Sequence, residues 1–171
     1  MSPFKQAVND AMRLLAEDKR TVFVGQSVRY DGAAIYDSLD GVPMDKRREF
    51  PVAENLQLGY CTGLSLTGKL PICIYPRMDF MLLAMDQLVN HLDKLPIYGW
   101  KPKVIIRCAV GQTSPLDAGP QHTQNYTRPF QLMLHNVRVD EVRTPKEVSS
   151  AYERAFTCNG SYLIVENPCV S

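Results

Sequence analysis

The feature that most constrains this chain is the alternation of short apolar segments with longer segments of helical spacing. The short segments are rich in Val and Ile and are predicted to be buried strands, at 21–25, 70–75, 103–110, 137–142 and 161–165. Between them, apolar residues recur at helical spacing, which predicts helices at 4–16, 55–67, 79–92 and 145–156. Because parallel strands need crossover connections, the pattern predicts an α/β fold with three layers, a mostly parallel sheet with helices on both faces.

Weaker signals fill the region between the first two strands. Residues 32–39 are predicted to form a short helix and residues 48–53 a weak strand, with turn residues at 40–43 between them. The boundaries of the stronger helices are marked by expected capping residues, namely Gly68, Asp79 and Thr144.

Composition narrows the class of protein. The chain has 19 Lys and Arg against 18 Asp and Glu, and its one basic triplet, 46–48, is interpreted as a solvated loop, so no nucleic-acid footprint is visible. No apolar run approaches membrane-spanning length, and the first residues lack a signal-peptide pattern. The scattered cysteines form no Cys-x-x-Cys pair, which predicts reduced thiols in a cytoplasmic protein: Cys61, Cys73, Cys108, Cys158 and Cys169. A single domain over 1–171 is expected.

Candidate functional residues lie where predicted strands end, because ligands of such folds gather at the carboxyl ends of the strands. Glu54 begins a helix after the weak strand, although a Glu in a first helical turn often only complements the helix dipole. Tyr75 and Phe80 follow a strong strand and could equally be core aromatics. His122 lies in a long polar loop, 111–126, and loops of this length usually have a function.

Several short motifs occur in order along the chain, and together they resemble the pyrimidine-binding domain of thiamine-diphosphate enzymes. The resemblance is to the beta subunit of pyruvate and branched-chain 2-oxoacid dehydrogenases and to the middle domain of transketolase, and it implies the thiamine-diphosphate-binding fold. It runs from about residue 30 to residue 167. Its motifs are Pro51-Val52-Ala53-Glu54-Asn55, a small-residue helix through Gly59 and Gly63, Thr67-Gly68-Lys69-Leu70-Pro71-Ile72-Cys73, Asp79-Phe80, Ala84-Met85-Asp86-Gln87-Leu88-Val89-Asn90, Gln121-His122-Thr123-Gln124, Arg143-Thr144-Pro145 and Val165-Glu166-Asn167.

The resemblance implies roles for individual residues. The glutamate that matches Glu54 hydrogen-bonds a ring nitrogen of the cofactor's aminopyrimidine and so activates the cofactor, which requires a carboxyl group protonated at neutral pH. Phe80 matches the aromatic residue that stacks on this ring, and Tyr75 is a second candidate for binding the cofactor. His122 matches a histidine near the reacting carbon, where it can stabilise or protonate the substrate. The other histidines, His91 and His135, have much weaker claims.

Missing features imply a partner. The family holds the cofactor diphosphate through a metal ion with a Gly-Asp-Gly motif and a later Asn, and this sequence lacks that motif. Magnesium is therefore expected to be supplied through a diphosphate-binding, alpha-like subunit; no metal ligand is assigned here, and the chain is expected to be inactive alone. A homodimer or heterotetramer is expected through the helix 79–92, where the family's interface segment matches Asp86, Gln87 and Asn90.

Two departures from the family affect the interpretation. The chain stops at Ser171, where the beta subunits continue into a carboxyl-terminal transketolase domain, so a free-standing domain and a truncated chain both stay open. Arg77 and Met78 stand where the dehydrogenase subunits have smaller or aromatic residues, which suggests a different substrate. Arg77 could contact an acidic or phosphorylated substrate, and an outward-facing side chain is an equal alternative.

The leading hypothesis is a thiamine-diphosphate-dependent enzyme subunit, active only with its partner, that acts on a small 2-oxoacid or ketose. Decarboxylation of a 2-oxoacid and transfer of a two-carbon (ketol) unit use the same half-site, so the sequence does not separate them. The alternative is a non-catalytic α/β protein that keeps the fold for assembly or for sequestering the cofactor. The joint presence of Glu54, Phe80 and His122 favours the enzyme.

Overall fold

The predicted alternation becomes a six-stranded sheet in a computed structural model, which describes residues 1–113 and 117–168. The strands are β1 Thr21–Gly25, β2 Arg47–Glu49, β3 Leu70–Tyr75, β4 Ile105–Ala109, β5 Arg138–Val142 and β6 Tyr162–Glu166. Their order across the sheet is β2-β1-β3-β4-β6-β5, and every neighbouring pair is parallel. All strands therefore end on the same side of the sheet, which we call the carboxyl edge.

Helical segments connect the strands. The α-helices are α1 Pro3–Glu17, α2 Ala34–Asp37, α3 Glu54–Leu66, α4 Thr127–Met133 and α5 Pro145–Thr157. Short 3-10 helices cover Met44–Lys46, Met78–Ala84 and Leu95–Tyr98, and a π-helical segment covers Asp86–Leu92. The predicted capping box of α5 is present, because the side chains of Thr144 and Glu147 each accept from the other's backbone N–H. The short helix α4 follows the polar loop and was not predicted.

Two buried clusters lie on opposite faces of the sheet and give the three layers that the sequence predicts. Helices α1, α2 and α5 pack on the face to which Phe23 and Ile72 point. Helices α3 and α4 and the segment 78–92 pack on the other face, with Val24 and Cys73. Neighbouring strand residues alternate between the clusters, because side chains of a strand point alternately to opposite faces. The predicted α/β fold is confirmed.

The single α-helix predicted at 79–92 is wrong in type. The structure has a 3-10 helix followed by a π-helical segment. The buried side chains of the first part follow a three-residue repeat, which suits the three residues per turn of a 3-10 helix, at Met78, Met81 and Ala84. Asp79 does not form the expected cap, and its two carboxylate oxygens are buried without a hydrogen-bond partner within 1–113 and 117–168.

The strand predicted at 48–53 is shorter and lies earlier in the chain, as β2. Arg47 fixes this position, because its buried guanidinium donates to the carbonyl oxygens of Val28, Leu39 and Val42. The basic triplet is therefore not the solvated loop that the sequence suggested. Residues 50–53, which include a proline, connect β2 to α3 without regular structure.

A buried carboxylate, Asp93, ties the end of the segment 78–92 to the start of β5. Its Oδ1 accepts backbone N–H groups of His135, Asn136 and Val137 at 2.9, 2.7 and 3.0 Å, and Lys94 Nζ lies 3.1 Å from Oδ2. Burial alone would raise the pKa of Asp93, but these hydrogen bonds lower it below its ordinary value.

We expect Asp93→Asn to reduce the free energy of unfolding by about 2 kcal/mol, because hydrogen bonds to a charged acceptor become bonds to a neutral one. Since the folded-state pKa is depressed, the carboxylate's contribution is fully present above the unfolded pKa and is lost as the pH falls through the folded one. Urea unfolding at neutral pH and near pH 3 would measure this. The exposed Asp31→Asn should change stability by under about 0.5 kcal/mol. Equal losses for Asp93→Asn at both pH values would contradict the prediction.

Two further observations concern the described residues as a whole. Within 1–113 and 117–168, no helix is both long and apolar enough to cross a membrane. The thiols of Cys61, Cys73, Cys108 and Cys158 are free, and Cys169 lies outside the described residues.

Candidate active site

Glu54 lies at the carboxyl edge, in the first turn of α3. The residue is only 5% exposed, and its Oε1 accepts a hydrogen bond of 3.1 Å from Gln26 Nε2. The backbone oxygen of Glu54 accepts from the Tyr75 hydroxyl at 2.9 Å, and Gln57 Nε2 donates to the Ile74 oxygen at 3.0 Å. The start of α3 is thus fastened to the end of β3, which fixes the backbone that carries the carboxyl group.

The loop after β1 holds Gln26 against Glu54, and sequence reasoning missed it. Ser27 has a positive φ of 59°, and its backbone N–H donates to Glu49 Oε1 at 2.6 Å, while the N–H of Arg29 donates to Oε2 at 2.9 Å. A β-carbon on Gly25 would lie 2.7 Å from the Ile74 oxygen, so this turn runs close against β3. Gly25 at the end of a buried strand was the available signal for a tight turn.

Tyr75 lies beneath the site and not in its opening. Its side chain is completely buried within the cluster under α3. Burial raises the pKa of its hydroxyl, which stays protonated and donates to the backbone of Glu54. This position favours the packing alternative, in which Tyr75 supports Glu54, and contact between Tyr75 and a cofactor stays a prediction.

Phe80 and His122 meet at the carboxyl edge although they are far apart in sequence. Their ring centroids are 5.5 Å apart and the ring planes are nearly perpendicular, at 86°. The backbone N–H of Gly111, just past β4, donates to the His122 oxygen at 3.0 Å. A β-carbon on Gly111 would lie 2.0 Å from that oxygen, so only glycine permits this close return of the loop.

A second polar group, centred on Glu141, holds the other end of the His122 loop. Its Oε1 accepts from Asn125 Nδ2 at 3.0 Å, from Asn167 Nδ2 at 2.6 Å and from Arg143 Nη2 at 2.9 Å. Burial alone would raise the pKa of Glu141, but hydrogen bonds from Asn167 and Arg143 lower it. Glu141 is therefore a charged anchor for this loop, and sequence reasoning did not single it out.

The residues with weaker claims lie away from these groups. His91 is exposed, with Nδ1 3.1 Å from the Asp86 oxygen, and Asn90 Nδ2 donates to Asp86 Oδ1 at 2.9 Å. Gln87 lies against Gly59 on α3. His135 lines a cavity of about 360 Å³ between α4 and β5.

Two cavities of the protein lie apart from the candidate residues. Neither the cavity beside His135 nor a second one of about 240 Å³ between α1 and α5 is lined by Glu54, Phe80 or His122. The described ranges contain no group of three or more His, Cys, Asp or Glu residues that could hold a metal ion.

No family model matches the chain, but individual proteins do. The 3-methyl-2-oxobutanoate dehydrogenase subunit beta of Mycobacterium tuberculosis is 25% identical over 168 residues, which cover 94% of this chain and 47% of that protein. The pyruvate dehydrogenase E1 component subunit beta of Cyanidium caldarium is 31% identical over 123 residues, or 68% of this chain and 37% of that protein. The chain thus spans about half the length, or less, of these curated relatives.

Two solved transketolase structures are similar to this chain in fold. A split-gene transketolase described as an inactive beta4 tetramer superposes with a TM-score of 0.72 at 18% identity, over 98% of this chain and 52% of that one. A transketolase from Campylobacter jejuni superposes with a TM-score of 0.73 at 13% identity, over 95% and 25%. The predicted resemblance is therefore confirmed: the chain is similar in sequence to the beta subunits of 2-oxoacid dehydrogenases and shares the α/β fold of the two transketolases.

Proposed function

We propose that this chain, over residues 1–171, is the pyrimidine-binding half of a thiamine-diphosphate-dependent enzyme that works with a diphosphate-binding partner subunit. The observation that carries the proposal is the placement of Glu54. Its shielded carboxyl group has Oε1 held by Gln26, and Oε2 forms no hydrogen bond with the part of the chain that the structure describes. An acid with one oxygen left open at the carboxyl edge suits a hydrogen bond to a ring nitrogen.

The surrounding residues fit the aminopyrimidine half of the cofactor. When bound, thiamine diphosphate supplies a carbon nucleophile for attack on a carbonyl group. Glu54 would hold a proton at Oε2 for the ring nitrogen, and the half-buried ring of Phe80 would orient the aminopyrimidine by stacking. His122, whose ring is fixed beside that of Phe80, would hold or donate a proton at the substrate oxygen.

The partner is part of the proposal. The sequence has no Gly-Asp-Gly motif, so we assign the diphosphate and magnesium to an alpha-like subunit, in a homodimer-based assembly or a heterotetramer. The transketolase of similar fold that is described as an inactive beta4 tetramer supports the need for a second subunit. The relatives' names support a 2-oxoacid or a ketose as substrate, and both stay in the proposal, together with a cytoplasmic location.

The test is reconstitution with a chain that carries the Gly-Asp-Gly motif. We expect the mixture to bind thiamine diphosphate with magnesium and to consume a 2-oxoacid or a ketose donor, while each chain alone has at most about one hundredth of that rate, since neither half holds the whole cofactor. Cofactor titration by calorimetry and steady-state turnover would measure this. A control mixture with Glu153→Gln, an exposed change on α5, should behave as the wild type.

Two outcomes would count against the proposal. A stable monomer that binds neither partner nor cofactor would remove its basis. A complex that binds the cofactor tightly but turns over no carbonyl substrate would instead favour the non-catalytic, cofactor-sequestering alternative.

A further inference from the structure

Arg77 lies beside the loop that carries His122 and does not face outward. It lies two residues after the end of β3 and is partly buried. Its Nε lies 3.3 Å from the position that a β-carbon on Gly111 would take, and Gly111 is bonded through its N–H to the His122 oxygen. The Arg77 backbone oxygen accepts the N–H of Phe80 at 3.2 Å. The guanidinium is therefore next to the loop of His122, and the backbone of Arg77 is bonded to the turn that carries Phe80.

The Arg77 guanidinium has no counter-ion within the part of the chain that the structure describes. Its one side-chain hydrogen bond within 1–113 and 117–168 goes from Nη1 to the Pro76 oxygen at 2.8 Å, and no carboxylate of these residues lies within ion-pair distance. Residues 114–116 contain no acidic side chain by sequence. Arg107 and Arg47, in contrast, are buried with a carboxylate or with three carbonyl oxygens. A partly desolvated guanidinium with unused donors is suited to an anion from outside the chain.

The reaction type restricts which anion this is. Decarboxylation removes the charge of the carboxylate next to the reacting carbonyl, so a guanidinium bound to that group would stabilise the ground state more than the transition state and slow the reaction. Ketol transfer places no charged group beside the carbonyl. The guanidinium therefore matches an anionic group elsewhere on the substrate, one that keeps its charge throughout the reaction.

We propose that Arg77 binds a second, non-reacting anionic group of the substrate, a distal carboxylate or a phosphate ester, and so selects dianionic 2-oxoacids or phosphorylated ketoses over neutral-chain analogues. The selection of substrates in this inference rests on the proposed function. Its binding chemistry rests only on the geometry of Arg77, Gly111 and His122.

The kinetic test uses the reconstituted complex and pairs of substrates that differ in the second anion: 2-oxoglutarate against 2-oxobutyrate, and xylulose 5-phosphate against xylulose. Arg77→Met should lower kcat/KM for the charged member by about 10- to 100-fold, mainly through KM, which is the scale of one or two charge-assisted hydrogen bonds. The kcat/KM of the member without the second anionic group should change by under about threefold. Arg77→Lys should recover part of the loss for the other member. The pair that responds identifies the source of the anion.

The matched control is Arg128→Met, which removes an exposed arginine of α4. It should leave both members of each pair unchanged. Equal losses of kcat/KM in Arg77→Met for substrates with and without the second anion would show that Arg77 only positions the His122 loop. That result would overturn the inference. The inference would also be overturned if Arg77→Met weakened assembly with the partner and changed no substrate preference. The guanidinium would then pair with a carboxylate of the partner.

A binding test separates this inference from the proposed function. Inorganic phosphate titrated into the isotopically labelled chain should shift the amide resonances of Gly111 and His122 in the wild type and in Arg128→Met, and not in Arg77→Met. That result would support the anion site even if no complex turned over a substrate. Absence of these shifts in the wild type, or the same shifts in all three proteins, would overturn it.

Discussion

Replacing Glu54 by Gln is expected to slow exchange of the thiazolium C2 proton of bound cofactor by about two orders of magnitude or more, in the complex with the partner subunit. Glutamine keeps the size and the polar contact with Gln26, but it cannot hold and release a proton at Oε2. Loss of general acid–base assistance costs a factor on this scale. Hydrogen–deuterium exchange at C2, quenched in acid and followed by NMR, would measure it, with cofactor affinity determined on the same samples.

His122→Ala is the comparison that separates activation from turnover. His122 lies beside Phe80 and forms no hydrogen bond with the carboxyl group of Glu54 within 1–113 and 117–168. Its removal should therefore leave C2 exchange within about threefold and lower turnover at least about tenfold. Glu54→Gln should lower both the rate of C2 exchange and the rate of turnover. If Glu54→Gln exchanges the proton at the wild-type rate, Glu54 is not the activating acid and the proposed function loses the observation that carries it.

The layers and the parallel sheet of this fold were largely predictable from the sequence, because strands buried on both faces appear as short apolar segments. The segments predicted for β1 and β3 match the observed strands, since each is a short apolar run between polar turns. The strand predicted at 48–53 was misplaced because Arg47, a charged residue, turns inward and takes three carbonyl oxygens as partners. Patterns of hydrophobicity cannot reveal a buried arginine that is satisfied by the backbone.

The candidate site was predictable in its principal residues but not in their support. Glu54, Phe80 and His122 were found through motifs, whereas Gln26, Glu49 and Glu141 act through hydrogen bonds to partners distant in sequence. Such pairs depend on the order of strands in the sheet, which places the end of β1 beside the end of β2 and the end of β6 between those of β4 and β5. The 3-10 geometry of residues 78–84 was missed for a different reason: its three-residue repeat is also compatible with an α-helix.

Glu166 shows the same difficulty, because the sequence marked it only as part of the motif Val165-Glu166-Asn167. In the structure it lies at the end of β6 and forms a buried, two-point ion pair with Arg107, with distances of 2.7 Å from Nε to Oε1 and 3.0 Å from Nη2 to Oε2. The Tyr152 hydroxyl donates to Oε1 at 2.7 Å, and Arg107 Nη1 donates to Ser38 Oγ at 2.7 Å. Burial alone would lower the pKa of Arg107, but the carboxylate of Glu166 raises it, so the guanidinium stays charged.

Glu166→Gln is therefore expected to reduce the free energy of unfolding by about 3–5 kcal/mol, because it leaves a buried guanidinium without a counter-charge. Urea unfolding of the isolated chain, with the slope compared between variants, would measure the loss. The double variant Arg107→Met with Glu166→Leu removes both charges and should be more stable than Glu166→Gln, since replacing a whole buried pair by apolar groups costs less than breaking it. The exposed Glu153→Gln on α5 should change stability by under about 0.5 kcal/mol. A Glu166→Gln chain as stable as this control would mean that Arg107 is solvated, and the double variant would then be no more stable than the single one.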